Sequence, residues 1–285
     1  MSKKENNCII IEPKRSLFYI NFKELFQYKD LLFLLVWKDF IVRYKQTILG
    51  PLWFLFQPIL TTIVFTIFFH RIANVPTDGI PPMLFYLCGL LIWDFFSKSV
   101  VSSSSSLLSY SHIINKVYFP RLILPISSIL SNFFTFFIQL INFLIFYFYF
   151  KFFTHVGIYI KPNINLLFTP LLLLQTAILS LGIGLLVCAL TSKYRDLHIL
   201  INFLIGLWLY ATPIIYPVSV IPPKYRFVLA INPLASIIDL FRYTFFGTIY
   251  LSYKYLVISI FSTFFILFVG LIAFNKIEKT VTDTI

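Results

Sequence analysis

Long apolar runs alternate with short polar segments along this chain of 285 residues. A helix crosses about 30 Å of hydrocarbon with about 20 residues, because each residue adds about 1.5 Å. Six runs are apolar over that length, which predicts an all-α integral membrane protein with six transmembrane helices. The predicted spans cover residues 52–69, 81–101, 122–150, 166–190, 197–216 and 255–274. Within the third run, Pro125 is expected to separate a short interfacial turn from the span proper.

The residues before the first span follow a different pattern. Between positions 30 and 48, basic residues fall on one side of a helical projection and Trp37 lies with the apolar residues on the other. A helix of this kind lies in the interface plane with its charges toward water and headgroups. The pattern predicts an N-terminal amphipathic interface helix over 30–48, ended by Gly50 and Pro51. Its basic side carries Lys38, Arg43 and Lys45.

The segment between the fifth and sixth spans is too short to cross the bilayer. Asn232 and Pro233 are typical of a helix start, with asparagine as the cap and proline at the first helical position. Apolar residues follow at helical spacing, while Asp239 and Arg242 are expected on the surface of this helix.

A shorter helix is expected to begin upstream, at Pro222 and Pro223. The two helices together predict a re-entrant or interfacial hairpin on the outer side. Backbone of that kind is tolerated at membrane depth only where it is buried in protein or lines a water-filled path.

Composition supports the membrane assignment and gives an orientation. The chain is 59% hydrophobic and only 12% charged, with a net charge of +12. In a soluble protein that charge would suggest nucleic acid, but in a membrane protein basic residues mark the cytoplasmic side. With the N-terminus inside, 16 of the 23 Lys and Arg fall on the cytoplasmic side, nine of them before the first span. This favours cytoplasmic tails at 1–29 and 278–285 and no nucleic-acid partner.

Candidate catalytic groups are scarce. Among the acids only Asp94 lies inside a predicted span, and Lys98 one turn further on is expected to neutralise it. The sequence has no HExxH motif, no paired carboxylates and no recognisable Ser-His-Asp set. It also lacks the GxxxxGK[ST] loop that cradles ATP phosphates. We therefore expect no active site, cofactor or metal in this chain, and ATP hydrolysis on a separate subunit.

The loop between the second and third spans has its own helical pattern. Leu107, Tyr110, Ile113 and Ile114 recur at helical spacing until Pro120 stops the helix. A short amphipathic helix can insert its apolar face into a groove on a partner. The alternative, a loop that rests on the membrane surface, fits the pattern equally well.

Four motifs occur in order along the chain. They are RYKQTILGPLW at 43–53, NKVYFPR at 115–121, YRDL at 194–197 and TPIIYP at 212–217, the last followed by Asn232-Pro233-Leu234 and Phe241-Arg242. Together they resemble the ABC type-2 permeases that export polysaccharides, over roughly residues 30–277. The resemblance is strongest to O-antigen and capsule exporters, with teichoic acid exporters close behind.

The resemblance implies an assembly and a cargo. Two copies would pair around a central channel in the bacterial inner membrane, each bound to a separate ATPase subunit that holds ATP and Mg²⁺. The interface helix would pack on the ATPase from the membrane side. The cargo would be a lipid-linked glycan, moved from the cytoplasmic leaflet outward.

Particular residues take roles by the same resemblance. The coupling helix to the ATPase would comprise His112, Ile113, Ile114, Asn115, Lys116, Val117 and Tyr118. The outward gate would comprise Pro222, Pro223, Asn232, Pro233, Phe241 and Arg242.

Aromatic residues make up 20% of the chain, including 35 Phe. Sugar rings present apolar C–H faces that stack on aromatic rings, so some of these rings are candidates for a glycan path. The others would face lipid or neighbouring helices. The amides of Gln139 and Asn142 are costly against lipid and should face protein or water. The candidate lining is Phe85, Trp93, Phe96, Asn132, Phe136, Gln139, Asn142, Phe203 and Tyr210.

Two other functions remain open at this point. One is an ABC permease that exports teichoic acid or a small amphiphile. The other is an integral-membrane enzyme of glycan assembly, which would act on the same lipid-linked substrates.

Overall fold

The computed structural model describes residues 22–45, 47–114, 116–154, 164–192, 194, 196–247 and 253–278. The regular elements in these ranges are helices, which confirms the predicted fold class. The α-helices are α1 (Phe22–Gln27), α2 (Lys29–Val42), α3 (Trp53–Phe65), α4 (Pro82–Ser104), α5 (Ser106–Ser109), α6 (Ser111–Ile114), α7 (Ile123–Phe153), α8 (Thr169–Thr191), α9 (Leu197–Ala211), α10 (Arg226–Ile231), α11 (Pro233–Phe246) and α12 (Tyr253–Glu278).

Shorter helical turns extend or connect these elements. A π-helix over Thr66–Ile72 prolongs α3, and 3₁₀ turns lie at Gly50–Leu52, Ile164–Phe168, Val218–Val220 and Pro223–Tyr225.

Five helical segments are long and apolar enough to cross a membrane. They are Gly50–Ile72, Pro82–Ser104, Ile123–Phe153, Asn165–Thr191 and Lys254–Ile277. Their bounds lie within a few residues of five predicted spans. The bent pair Pro223–Leu229 and Pro233–Phe246, which turns by 110°, makes a sixth only if it counts as one span. The chain is therefore a multi-pass membrane protein.

The predicted fifth span is too long. Helix α9 has 15 residues, or about 22 Å at 1.5 Å per residue, and it ends at Ala211 rather than Tyr216. Thr212 is already extended (φ −105°, ψ 141°), since the residue before a proline avoids the helical region. Pro213 thus ends the helix before it has crossed the full hydrocarbon thickness.

The expected break at Pro125 is absent. Helix α7 runs without interruption for 31 residues from Ile123, and Pro125 occupies its first turn. A proline is tolerated there because the amide groups of a first turn have no partner within the helix.

The interface helix is shorter and less amphipathic than predicted. Helix α2 ends at Val42, so Arg43 and Lys45 lie in the turn that follows. Leu35 and Val36 are buried toward α7, whereas Trp37 from the predicted apolar side is 55% exposed. Packing against the chain's own helices, and not only the interface, therefore sets the orientation of α2. The predicted turn at Gly50 is present, with a left-handed φ of 52° that glycine adopts readily.

Helix α4 is the centre of the bundle. It packs against α7 on one side and α8 on another, and it contributes more residues to the core than any other helix. The first span and α12, in contrast, expose apolar side chains along much of their length. Hydrocarbon or another membrane-embedded chain is the environment that such surfaces fit.

Helices α8 and α12 approach each other through two glycines. A Cβ added to Gly182 would lie 2.7 Å from the backbone of Leu267, and one added to Gly270 would meet the backbone of Gly182. Small residues allow this close backbone packing between membrane helices.

We expect Gly182→Val to lower the thermal unfolding midpoint in detergent, because overpacking costs about 1–3 kcal/mol. Gly206→Val is the matched control, since nothing lies within 4 Å of a Cβ at Gly206. Equal midpoints for the two variants would contradict the assigned helix contact.

Candidate functional site

Arg242 is buried, and it connects three parts of the fold. Both Arg242 and Asp239 are only 4% exposed, which corrects the expectation that they lie on the surface of their helix. The guanidinium donates hydrogen bonds to the carbonyl oxygens of Pro213 (2.6 Å), Ile214 (2.8 Å) and Phe85 (3.4 Å). It also lies 3.6 Å from the centre of the Phe85 ring. Arginine suits this position because it is planar and carries five donors.

Gly89 makes room for this arrangement. A Cβ at Gly89 would lie 2.8 Å from a guanidinium nitrogen of Arg242 and 3.3 Å from the Ile214 side chain. The carbonyls of the turn after α9 can therefore approach α4 closely with Arg242 between them.

The start of α11 is anchored to the same turn. The side chain of Asn232 accepts a hydrogen bond from the Leu234 amide (3.1 Å), so it caps the helix as predicted, with Pro233 at the first position. Its amide nitrogen donates to the Thr212 hydroxyl (2.9 Å). Among the other proposed gate residues, Phe241 is fully buried, and Pro222 and Pro223 begin the short turn that leads into α10. The hairpin is thus tied to the end of α9 at two points.

A second polar group joins α4 and α7 near the opposite end of α4. Asp94 and Lys98 form the expected ion pair at 2.9 Å, and Gln139 donates to the same carboxylate oxygen at 3.3 Å. Closer to the end of α4, Asn132 on α7 donates to the hydroxyls of Ser99 (3.2 Å) and Ser102 (3.0 Å). Lys98 is 13 residues, or about 20 Å, from Phe85 along α4.

The amides of the proposed lining are buried within the subunit, in line with their cost against lipid. Asn132, Gln139 and Asn142 are each no more than 5% exposed. Gln139 and Asn132 are partnered as described above, whereas the Asn142 amide nitrogen has no hydrogen-bond partner among the described residues.

The proposed lining rings do not share one surface. Phe85, Trp93, Phe96 and Phe136 are no more than 4% exposed and pack in the core around α4. Only Phe203 and Tyr210, on α9, are exposed, at 61% and 60%. Of the proposed lining rings, those on α9 are therefore the ones that could face a path outside the subunit, although exposed rings outside the proposed set also lie on the first span, α7 and α12.

The loop after α4 differs from the predicted single helix. It forms two short helices, α5 and α6, separated at Tyr110. Leu107 and Tyr110 of the expected docking face are buried against the chain's own apolar residues, among them Leu35 and Ile123. The physical reason is that α2 and α7 already present an apolar surface to this face.

The other coupling residues are less enclosed. Ile113 and Ile114 are half-buried, while His112, Lys116, Val117 and Tyr118 are exposed; Asn115 lies outside the described residues. The accessible part of the loop is therefore its second half.

Tyr110 fastens this loop to α2. Its hydroxyl donates to the Asp39 carboxylate, and the Lys38 ammonium lies 4.5 Å from the centre of its ring. Burial, and then the hydrogen bond to Asp39, raises the pKa of Tyr110, so the hydroxyl stays protonated and remains a donor at neutral pH. Asp39 is an acidic residue on the predicted basic side of the helix, and this exception to the pattern could have indicated a specific partner for its carboxylate.

Arg43 is half-buried and contacts a membrane helix. It donates to the side-chain oxygen of Asn132 at 2.5 Å, which corrects its predicted place on the exposed basic side of the interface helix. Burial lowers its pKa, and the nearby charge of Asp39 opposes that shift, so the guanidinium remains charged at neutral pH. A contact 89 residues away along the chain leaves no periodic signal in the sequence.

The fold and these anchored segments define a polytopic membrane protein with a helical hairpin at one end of its spans and a short-helix loop at the other. The chain belongs to the ABC-2 type transporter family, whose model matches residues 30–246.

Individual relatives match over most of the chain. It is 30% identical to an O-antigen export system permease protein RfbA of Klebsiella pneumoniae over 250 residues, covering 87% of this chain and 92% of that protein. A second RfbA from the same species is 30% identical over 251 residues with the same coverage. The RfbA of Myxococcus xanthus is 28% identical over 228 residues, covering 79% of this chain and 83% of that protein.

We expect Arg242→Met to lower the free energy of unfolding by at least about 2 kcal/mol, because three buried carbonyls lose a charged donor. The measurement is the thermal unfolding midpoint of the purified chain in detergent. Arg226→Met is the control, since half-exposed Arg226 makes a single hydrogen bond within the described part of the chain, to the Ile221 carbonyl. An equal or larger fall for Arg226→Met would refute the anchoring role.

Tyr110→Phe should loosen the loop without removing its ring. A hydrogen bond to a charged group contributes about 1.5–3 kcal/mol, so amide exchange in residues 105–114 should accelerate about tenfold or more. Hydrogen–deuterium exchange by mass spectrometry measures this directly. Tyr225→Phe, which alters an exposed ring in the hairpin, should leave the loop unchanged; unaltered exchange in Tyr110→Phe would count against the Asp39 contact.

Proposed function

We propose that this chain is the membrane-spanning permease subunit of an ATP-driven exporter, and that it moves a lipid-linked, O-antigen-like polysaccharide from the cytoplasmic to the outer leaflet. The observation that carries the proposal is the match to O-antigen export permeases over 87% of this chain and 92% of theirs. Because the match covers nearly the whole length of both proteins, it supports a shared architecture and not merely one shared segment.

Membership of the ABC-2 family implies an ATP-binding cassette partner, and we assign ATP and Mg²⁺ to that subunit. Two such subunits would serve two copies of this chain. The exposed residues His112, Lys116, Val117 and Tyr118 form the part of the loop that an ATPase would contact. The exposed rings of Phe203 and Tyr210 on α9 favour that helix as the surface facing the cargo path or the second copy. In this arrangement both termini are cytoplasmic and the hairpin forms the outward gate.

The two alternative functions, export of another cargo and glycan assembly, require different things of this chain. Teichoic acid or small-amphiphile export needs the same assembly and differs only in cargo. A glycan-assembly enzyme would modify its substrate without a partner, and the Asp94 carboxylate inside the bundle is already engaged by Lys98 and Gln139. The close match to export permeases favours the exporter.

The proposal is tested by co-expressing the chain with its ATPase in a strain that assembles O-antigen but lacks its native exporter. We expect surface glycan to be restored, and the purified pair to hydrolyse ATP while the chain alone does not. A Walker-A lysine variant of the ATPase is the control that should abolish export. Glycan elongation by the chain alone would overturn the exporter assignment, and restored teichoic acid or amphiphile export without glycan would favour the alternative cargo.

A further inference from the structure

A cleft lined by several polar side chains, along with Phe54 and Val101, opens at the end of the spans that carries the short-helix loop. It has a volume of about 400 Å³ and lies where α3, α4, α7 and the turn after α2 meet. We call it the Arg43 cleft; its polar lining includes Arg43, Gln57, Lys98, Ser102, Asn132 and Thr135.

The charged groups that line this cleft are cations. Asp94, the partner of Lys98, is not among the lining residues, and the carboxylate of Asp39 accepts the Tyr110 hydroxyl. Arg43 has five N–H donors, and its hydrogen bond within the described chain goes to the neutral amide of Asn132. The cleft therefore presents the donor groups of two cations, while the acids beside them, Asp94 and Asp39, lie outside its lining.

Thr135 provides an independent indication of a ligand. The residue is 3% exposed and lines the cleft, yet its hydroxyl has no hydrogen-bond partner in the described part of the chain. A buried hydroxyl without a partner costs about 1–3 kcal/mol, a cost that a ligand oxygen in the cleft would remove.

The position of the cleft selects the kind of ligand. Lys98 lies six residues, or about 9 Å, before the end of α4, so the cleft is near the membrane surface. Gln57 is exposed on the first span, and beyond it the same span exposes Leu60 and Val64. A molecule in the cleft can thus place an anionic group between Arg43 and Lys98 while its apolar part stays in lipid.

We propose that the Arg43 cleft binds the phosphate group of a membrane lipid. Arg43 supplies charge together with Lys98, which keeps its ion pair with Asp94, and Gln57 and Thr135 supply neutral donors. Arginine and lysine both suit phosphate, arginine through two parallel N–H bonds and lysine as a point charge. The inference rests on the proposed function for its principal ligand, the phosphate that joins a lipid carrier to its glycan; the headgroup of an ordinary phospholipid presents the same chemistry.

The test measures lipid binding to the full chain with its ATPase in nanodiscs of phosphatidylcholine. A fluorescent long-chain alkyl diphosphate is titrated, and phosphatidylglycerol, unlabelled alkyl diphosphate and inorganic phosphate compete with it. Arg43→Gln should weaken binding about tenfold or more, and Arg43→Lys should weaken it less. Thr135→Val should weaken it several-fold while leaving the thermal midpoint unchanged or higher, because it removes an unpartnered hydroxyl. Arg71→Gln, at the far end of the first span, is the charge-matched control.

The competitors identify the source of the phosphate. Displacement by alkyl diphosphate alone supports a lipid carrier, and equal displacement by phosphatidylglycerol supports phospholipid headgroups. Efficient displacement by inorganic phosphate would overturn the requirement for a lipid. If both Arg43→Gln and Thr135→Val bind the lipid with wild-type affinity, the proposed site is refuted. If Arg43→Gln fails to fold, the lipid affinity of Thr135→Val alone tests the site.

Export in the same samples separates this inference from the proposed function. If the wild-type complex exports glycan but the variants bind lipid normally, lipid binding in the cleft is refuted and the exporter assignment stands. A complex that never exports, but whose variants lose lipid binding, would refute the exporter and leave the cleft standing.

Discussion

Backbone carbonyl groups freed by a turn need donors when the surroundings are apolar, and Arg242 supplies them in this fold. The turn begins because Pro213 ends α9 before it has crossed the bilayer. Two carbonyls of that turn, and one from the first part of α4, converge on a single guanidinium. The hairpin, the short fifth helix and the central helix are thereby fixed to one another by one side chain.

The polar groups at the other end of the spans are stabilised in a different way. There the charged groups are engaged in small polar contacts: Asp94 with Lys98 and Gln139, Asp39 with Tyr110, and Arg43 with Asn132. These contacts run from the short-helix loop through α2 to α7. Movement imposed on the loop by a partner would thus reach the Arg43 cleft through side chains that already touch, which places the proposed lipid site next to the proposed coupling surface.

Local patterns predicted the features with local causes. Five spans, the cap at Asn232, the turn at Gly50 and the Asp94–Lys98 pair each depend on a few neighbouring residues, and the structure contains all of them. Predictions that depended on which side of a helix faces inward were less successful. Arg242 and Asp239 are buried instead of exposed, Leu107 and Tyr110 face the chain itself, and four of the proposed lining rings are core residues. In a chain this apolar, periodicity alone does not separate a face toward lipid from one toward protein.

The order of residues alone is enough to identify a helical, multi-pass membrane protein, because the length of an apolar run and the thickness of a bilayer are compared directly. Its motifs also indicated the permease family, to which the chain belongs. Only the tertiary structure decided where the charged side chains lie. A buried arginine is stable solely through partners that are distant in sequence, as the 157 residues between Arg242 and Phe85 illustrate. The arrangement of the polar ends therefore follows from packing, while the fold class follows from hydrophobicity.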